Sequence, residues 1–358
     1  MLKTDIGDKS QIDCTVELAK PTLLTIPKRK PGAQSARAKE VYEAEVEAFC
    51  AAIIEIRSNL DFAVSSRGLC YILESRGLAK GDFDTGQKFI NECRKTGRLP
   101  LNICAEDSRR SAQNLETIDK AEPKDEAAAL IQGMRDAYET YFPFSFWDDK
   151  DHYIEVMVEK IDLRSLFGPI CEEYCIPISN AVGWSDLNQR RRIMRRFARW
   201  EAKGKQCVLL YCGDFDPGGL VISDFLRSNM EEIEDAVKWS PDDLIIKRFG
   251  LSYEFIIEQN LTWIDNLETA SGYRLDDPRH KDHKKPYVQN YLERYGARKV
   301  EANALVVRPT EGRDLCRAAI NQYVPDTTPA EYKAALAPKR EVLRQMIEMA
   351  ICPKEGKE

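Results

Sequence analysis

At 358 residues and 43% hydrophobic, the chain is long enough for two compact domains and has the composition of an ordinary soluble protein. No stretch reaches the ~20 apolar residues of a membrane span, and the opening MLKTDIGDKSQIDC lacks the hydrophobic core of a secretory signal, so a cytoplasmic location and no membrane partner are expected. The net charge of -6 argues against a uniformly polyanion-binding surface and directs attention to local basic patches.

Residues 1–38 mix Lys, Pro, Ser and Thr without a sustained period, which predicts a flexible basic arm. From Glu40 to Ile56 apolar residues recur at helical spacing. Short amphipathic helices broken at Gly77, Gly81 and Gly97 follow, then RLPLNICAED, so 39–118 reads as a small helical DNA-binding domain with a wing. A polar joint and the helix EAAALIQGMRDAYETY make 119–147 a connector. Beyond it HYIEVMVEK, KQCVLLYCGD, DLIIKRFG and RKVEANALVV are strand-like, with helical segments between most of them. That alternation predicts an α/β fold with an open, mostly parallel sheet over 148–325, and 326–358 reads as closing helices and a tail.

Eleven cysteines, an odd number without a C-x-x-C pair, read as reduced thiols. Cys171 and Cys175 are spaced to share a helix face, but two thiols make a poor zinc site and core filling is the expectation.

The run QCVLLYC suits a central parallel strand, which puts Asp214 and Asp216 at its carboxyl end, where open α/β sheets bind ligands. Two hard oxygen ligands one residue apart suit Mg²⁺. Asp216 before Pro217 equally suits a helix N-cap, with Asp214 as a turn residue. Glu159 ends the strand-like YIEVMVEK, whose alternate residues Ile154, Val156 and Val158 are expected in the core. If the two strands are parallel neighbours, the three carboxylates share one crevice and repel one another unless a cation sits among them.

Glu at the end of one strand and Asp-x-Asp at the end of a later one resembles the signature of Toprim domains. The succession IEVMVEKIDL, GDFDPGG and KVEANAL is similar to the A subunit of topoisomerase VI and its relatives, which include compact homologues on phages and plasmids. The likeness spans roughly residues 60 to 325 and is strongest from His152 to Leu305. It implies a winged-helix-like domain followed by a Toprim domain, with Mg²⁺ held by Glu159, Asp214 and Asp216. It also implies a catalytic tyrosine in an R-x-x-Y-Y-like stretch, whose counterpart here is SSRGLCYILE with Arg67 and Tyr71. Spaced four apart on a helix, these two project from one face, and an arginine there holds a phosphate and favours the phenolate. The sequence departs from the family pattern in placing Cys70 at the first aromatic and Gly68 inside the helix. On its own pattern Tyr71 reads as a half-buried core ring. Glu301 either orients the site or is a surface glutamate, and Lys160 either contacts a phosphate or is solvated.

The implied activity is Mg²⁺-dependent, type IIB-like cleavage of double-stranded DNA by tyrosine transesterification. The implied assembly is a homodimer in which Tyr71 of one subunit meets the metal site of the other. With no G-x-x-x-x-G-K-[ST] motif, ATP-driven strand passage would need a separate ATPase subunit. A water-using Toprim endonuclease and a non-catalytic DNA-binding protein are the alternatives. For DNA contact, Arg94, Lys95, Arg98, Arg109 and Arg110 lie in or beside the expected wing, or decorate a helix end. GWSDLNQRRRIMRRFARW packs Arg190, Arg191, Arg192, Arg195, Arg196 and Arg199 into one helix, as phosphate ligands or as a solvated face. His280 and His283 fall in a basic loop expected to be exposed.

Overall fold

The computed structural model describes residues 24–29, 32, 35–74, 76–105, 122–181, 186–267 and 273–351. Its first part is helical: α1 (Ala36–Ser58), α2 (Ser66–Glu74), α3 (Phe83–Lys95) and α4 (Pro123–Asp136). The α/β part runs β1 (His152–Val158), α5 (Ile161–Glu173), β2 (Ile178–Asn180), α6 (Leu187–Glu201), β3 (Gln206–Cys212), α7 (Pro217–Leu220), α8 (Ile222–Glu231), α9 (Glu234–Val237) and β4 (Ile245–Phe249). Then follow α10 (Tyr253–Glu258), α11 (Pro286–Tyr295), α12 (Pro309–Ile320) and α13 (Thr328–Ile351).

The four strands form one all-parallel sheet in the order β2-β1-β3-β4. β1 and β3 pair in register from His152 opposite Gln206 to Val158 opposite Cys212, so Glu159 and Asp214 leave the sheet at one edge. Six of the seven residues in each of these strands are buried, as a strand covered on both faces requires. The alternation expected for β1 is therefore absent: Glu155 is 1% exposed and its charge is met by Arg196.

Several expectations need correction. The helix expected from Glu40 to Ile56 runs from Ala36 to Ser58, capped by the Ser35 hydroxyl. Within the expected basic arm, Ile26 is buried in the core and the Leu24 N–H donates to the Arg76 carbonyl. The stretch RKVEANALVV is not a strand: Val300 makes an isolated antiparallel bridge to Phe215, and Ala302–Val307 is a 3₁₀ helix. Five consecutive buried residues there, Ala302 to Val306, point into the core on several sides, which an alternating strand does not allow. Of the expected wing only 98–105 is described, without a strand, and the remainder to 118 lies outside the described residues, so the wing itself is neither corrected nor upheld. Cys175 lies beyond the end of α5 and does not share a helix face with Cys171. His280 is buried, its Nδ1 accepting from the Asp282 N–H.

Candidate active site

Asp162, fully buried at the start of α5, joins the two parts of the chain. It accepts hydrogen bonds from the backbone N–H and, at 2.7 Å, the hydroxyl of Ser65, so a carboxylate from the α/β part anchors the first turn of α2. Gly68 makes that approach possible, since a Cβ there would lie 2.7 Å from Asp162 Oδ2. The glycine that costs helix propensity is thus the residue that lets α2 dock. Cys70 has a similar reason. A Cβ built on Gly86 of α3 would lie 3.1 Å from its Sγ, leaving no room for an aromatic ring.

Docked this way, α2 presents Arg67 and Tyr71 to the segment 299–302. Arg67 clasps Glu301 through two 2.9 Å hydrogen bonds, Nε to Oε2 and Nη2 to Oε1, and the Tyr71 hydroxyl donates to Glu301 Oε2 at 2.7 Å. Tyr71 is completely buried, edge-on to Phe83, with the Lys80 ammonium 5.2 Å from its ring centre. Burial, then the neighbouring Glu301 charge, hold its phenol well above the usual range. For Glu301 burial works in the opposite sense to its partners, and the bonds from Arg67 and Tyr71 prevail, leaving its carboxyl at about 2. Glu301 is 8% exposed and is not a surface residue.

The same segment reaches the acidic residues. Asp214 Oδ1 accepts from the Ala302 N–H at 2.8 Å, and Oδ2 accepts from Lys160 Nζ at 3.0 Å. Lys160 also pairs with Glu159 Oε1, while Glu159 Oε2 accepts the Asp214 N–H at 2.9 Å. Asp216 caps α7, its Oδ1 accepting from the Gly219 N–H at 2.6 Å, as the capping alternative anticipated. A Cβ on Gly219 would meet the Asp214 carbonyl at 2.1 Å, so no other residue closes this turn without a shift. Arg248, at the end of β4, donates to the Asp214 carbonyl at 3.2 Å and so fixes the loop from a neighbouring strand.

Burial pushes the Asp214 carboxyl up to about 7; Lys160 opposes the rise and Glu159 and Asp216 add to it. Burial also raises Asp216, with Glu159 adding to the effect, and the Lys160 ammonium keeps Glu159 below the usual range against its own burial. Among the described residues no three His, Cys, Asp or Glu side chains are gathered as a ready-made metal site. Lys160 supplies the cation that Glu159 and Asp214 share, and Asp216 stands apart from that bridge. As placed, Glu159 and Asp214 are therefore neutralised by an ammonium, and the three carboxylates are not converged on one cation position.

The expected DNA ligands divide. Arg191 and Arg195 are exposed on α6, whereas Arg196 forms two 2.7 Å bonds to buried Glu155, and Arg190, itself buried, pairs with Glu232 at 2.7 Å. Arg98 pairs with Glu43, and Arg94 donates to the Leu101 carbonyl and to Asn91. Arg109 and Arg110 lie outside the described residues. Sequence reasoning missed Lys80, Asp162, Lys299 and Arg248. Of these only Lys299 carried a signal, two residues before Glu301 and 3.7 Å from its carboxylate.

Compared with protein-family models, with curated proteins and with solved structures, the chain matches none.

Proposed function

We propose that this chain is a Mg²⁺-dependent DNA-cleaving transesterase, built as a winged-helix-like domain on a Toprim-type sheet and resembling the topoisomerase VI A subunit. One observation carries the reading. Residues 67–71, 159–160, 214–216 and 299–302, distant in sequence, meet at the carboxyl edge of a parallel sheet with a tyrosine, an arginine and an acidic cluster in contact through one short segment. A phenol, a guanidinium and carboxylates that attract a divalent cation are the groups that phosphoryl transfer to a tyrosine requires.

Tyr71 supplies the attacking oxygen. Arg67, one-third exposed, grips the scissile phosphate with the same forked donors that now hold Glu301. Lys80 adds positive charge beside the Tyr71 ring, and Lys160 adds it among the carboxylates. Glu159, Asp214 and Asp216 would hold the Mg²⁺, which when bound supplies positive charge to the phosphate and the leaving oxygen. Because Tyr71 is fully covered, DNA gains access only when the packing over its ring opens. Arg191 and Arg195 on α6 supply phosphate contacts outside the crevice.

Within one chain Tyr71 is joined to the acidic cluster through Glu301 and Ala302, which supports a site completed without exchange between subunits. Cutting both strands still takes two sites, hence a homodimer on double-stranded DNA, and strand passage would add a separate ATPase subunit. The complete burial of Tyr71 favours a second reading, a nuclease in which water attacks and the tyrosine is structural.

Denaturing electrophoresis of supercoiled plasmid incubated with protein and Mg²⁺ separates the two. Cut ends carrying covalent protein, lost in Tyr71→Phe, support the transesterase. Protein-free ends, with cutting retained in Tyr71→Phe, support hydrolysis.

A further inference from the structure

We infer that Glu301 is the general base that deprotonates Tyr71, and that it becomes competent only when a DNA phosphate draws Arg67 away from it. The inference rests on the transesterase reading above and adds to it a residue and an order of events.

The geometry is the first ground. A general base must lie within hydrogen-bond reach of the proton it takes, and Glu301 Oε2 is 2.7 Å from the Tyr71 oxygen. Among the described residues no other side chain accepts a hydrogen bond from that hydroxyl, and the candidate metal carboxylates are engaged elsewhere: Asp214 with Lys160 and Ala302, Asp216 with Gly219. Arg67 is the second ground. Its guanidinium occupies both oxygens of Glu301, including the one that Tyr71 uses, so the base and the phosphate ligand neutralise each other while the site is empty of DNA.

The groups facing this carboxylate are Arg67 and Tyr71 from α2, Lys299 from its own segment, and Lys80 from the turn before α3. Asp84 shares Arg67 at 3.4 Å. Paired in this way the Glu301 carboxyl sits at about 2 and is a poor proton acceptor. Transfer of Arg67 to a phosphate removes the partner that contributes most to that depression, so Glu301 becomes more basic as the electrophile arrives. The phenol stays protonated, and harmless, until then.

The step balances with water as the one further reactant. The Tyr71 oxygen forms a bond to phosphorus while its proton passes to Glu301 Oε2. The bond from phosphorus to O3′ breaks, its electron pair stays on O3′, and that oxygen takes a proton from water. The products are a 5′-phosphotyrosyl end, a free 3′ hydroxyl, a neutral Glu301 and the hydroxide left by that water, which the Glu301 proton then neutralises to restore both water and carboxylate.

The test is the rate of adduct formation on plasmid with Mg²⁺, followed from pH 6 to 8 in wild type and in Glu301→Gln. Wild type is expected to change little over this range, whereas an unaided phenol, with a pKa of about 10, would gain about tenfold per pH unit. Glu301→Gln is expected to be ~10²–10⁴-fold slower at pH 7 and to acquire that steep rise. Replacing Tyr71 by a fluorinated tyrosine with a more acidic phenol should accelerate Glu301→Gln far more than it accelerates the parent. A wild-type rate that climbs tenfold per unit would overturn the inference without any variant. So would Glu301→Gln cutting at the wild-type rate and profile, or an equal gain from the fluorinated ring in both backgrounds. Absence of any adduct from wild type would instead refute the transesterase reading, and the base with it.

Discussion

Arg196 offers the sharpest test of how the arginine-rich helix divides. Glu155 lies at the centre of β1, 1% exposed, and its carboxylate is held by two 2.7 Å bonds from Arg196 and a 3.0 Å bond from the Tyr153 hydroxyl. Truncation of the guanidinium in Arg196→Met leaves a buried carboxylate with one neutral donor. Breaking a buried pair in this way costs about 3–5 kcal/mol, against the 0–1 kcal/mol of an exposed pair. For a domain of this size the loss corresponds to a fall in Tm of roughly 6–20 °C at neutral pH. The pH dependence fixes the cause. Burial raises the Glu155 carboxyl even with Arg196 present, and removing Arg196 raises it further. A group whose folded pKa lies above its unfolded value stabilises the fold as pH falls, so the deficit should shrink as Glu155 takes up a proton below neutrality. Glu155→Gln in the same background should recover most of the loss at neutral pH. Thermal denaturation by circular dichroism from pH 5 to 8 reads all of this. A Tm change under about 2 °C at neutral pH, or a deficit independent of pH, would refute the assignment of Arg196 to the fold.

On the same helix, Arg191→Ala and Arg195→Ala should weaken plasmid binding and lower the slope of log affinity against log salt by about 0.9 each, with Tm unchanged; an unaltered slope would remove them from the DNA surface. Asp162→Asn replaces the carboxylate that anchors α2, at a cost of about 1–3 kcal/mol, and should expose the 60–75 region to limited proteolysis before the sheet unfolds. Gly68→Ala should displace α2 from Asp162, cutting adduct yield more than it lowers Tm. Mixing Tyr71→Phe with Asp214→Ala chains should give no strand cutting at all if each chain holds a complete site, because every site in the mixture then lacks one group. Nicking of one strand by the mixture would show that the sites are shared between subunits, since a mixed dimer then rebuilds one intact site.

The central strands were legible because QCVLLYC and YIEVMV are short apolar runs bounded by polar residues, and a sheet strand buried on both faces needs nothing else. The three-residue β2 left no such trace. The run around Val300 misled because its apolar residues serve a 3₁₀ turn and one isolated bridge, a choice made by what surrounds it. The acidic residues were recognisable as a set at one sheet edge, yet their partners were not: Lys160 as the bridging cation is local, but Ala302 and Arg248 reach Asp214 from distant segments. The contact between Tyr71 and Glu301 spans 230 residues and depends on Asp162 and Gly68 to dock α2, none of which periodicity or charge reveals. The partner of Arg196 was hidden for the same reason, since Glu155 falls outside the set Ile154, Val156 and Val158 that the pattern of β1 placed, as found, in the core.

The most direct measurement is to trap the cut complex with denaturant, digest protein and DNA, and sequence the nucleotide-bearing peptide by mass spectrometry. The account predicts a phosphodiester on Tyr71 within the peptide that follows Arg67, joined to a 5′ end. Clean 5′ phosphates with no modified peptide, or a nucleotide carried by any other residue, would contradict it.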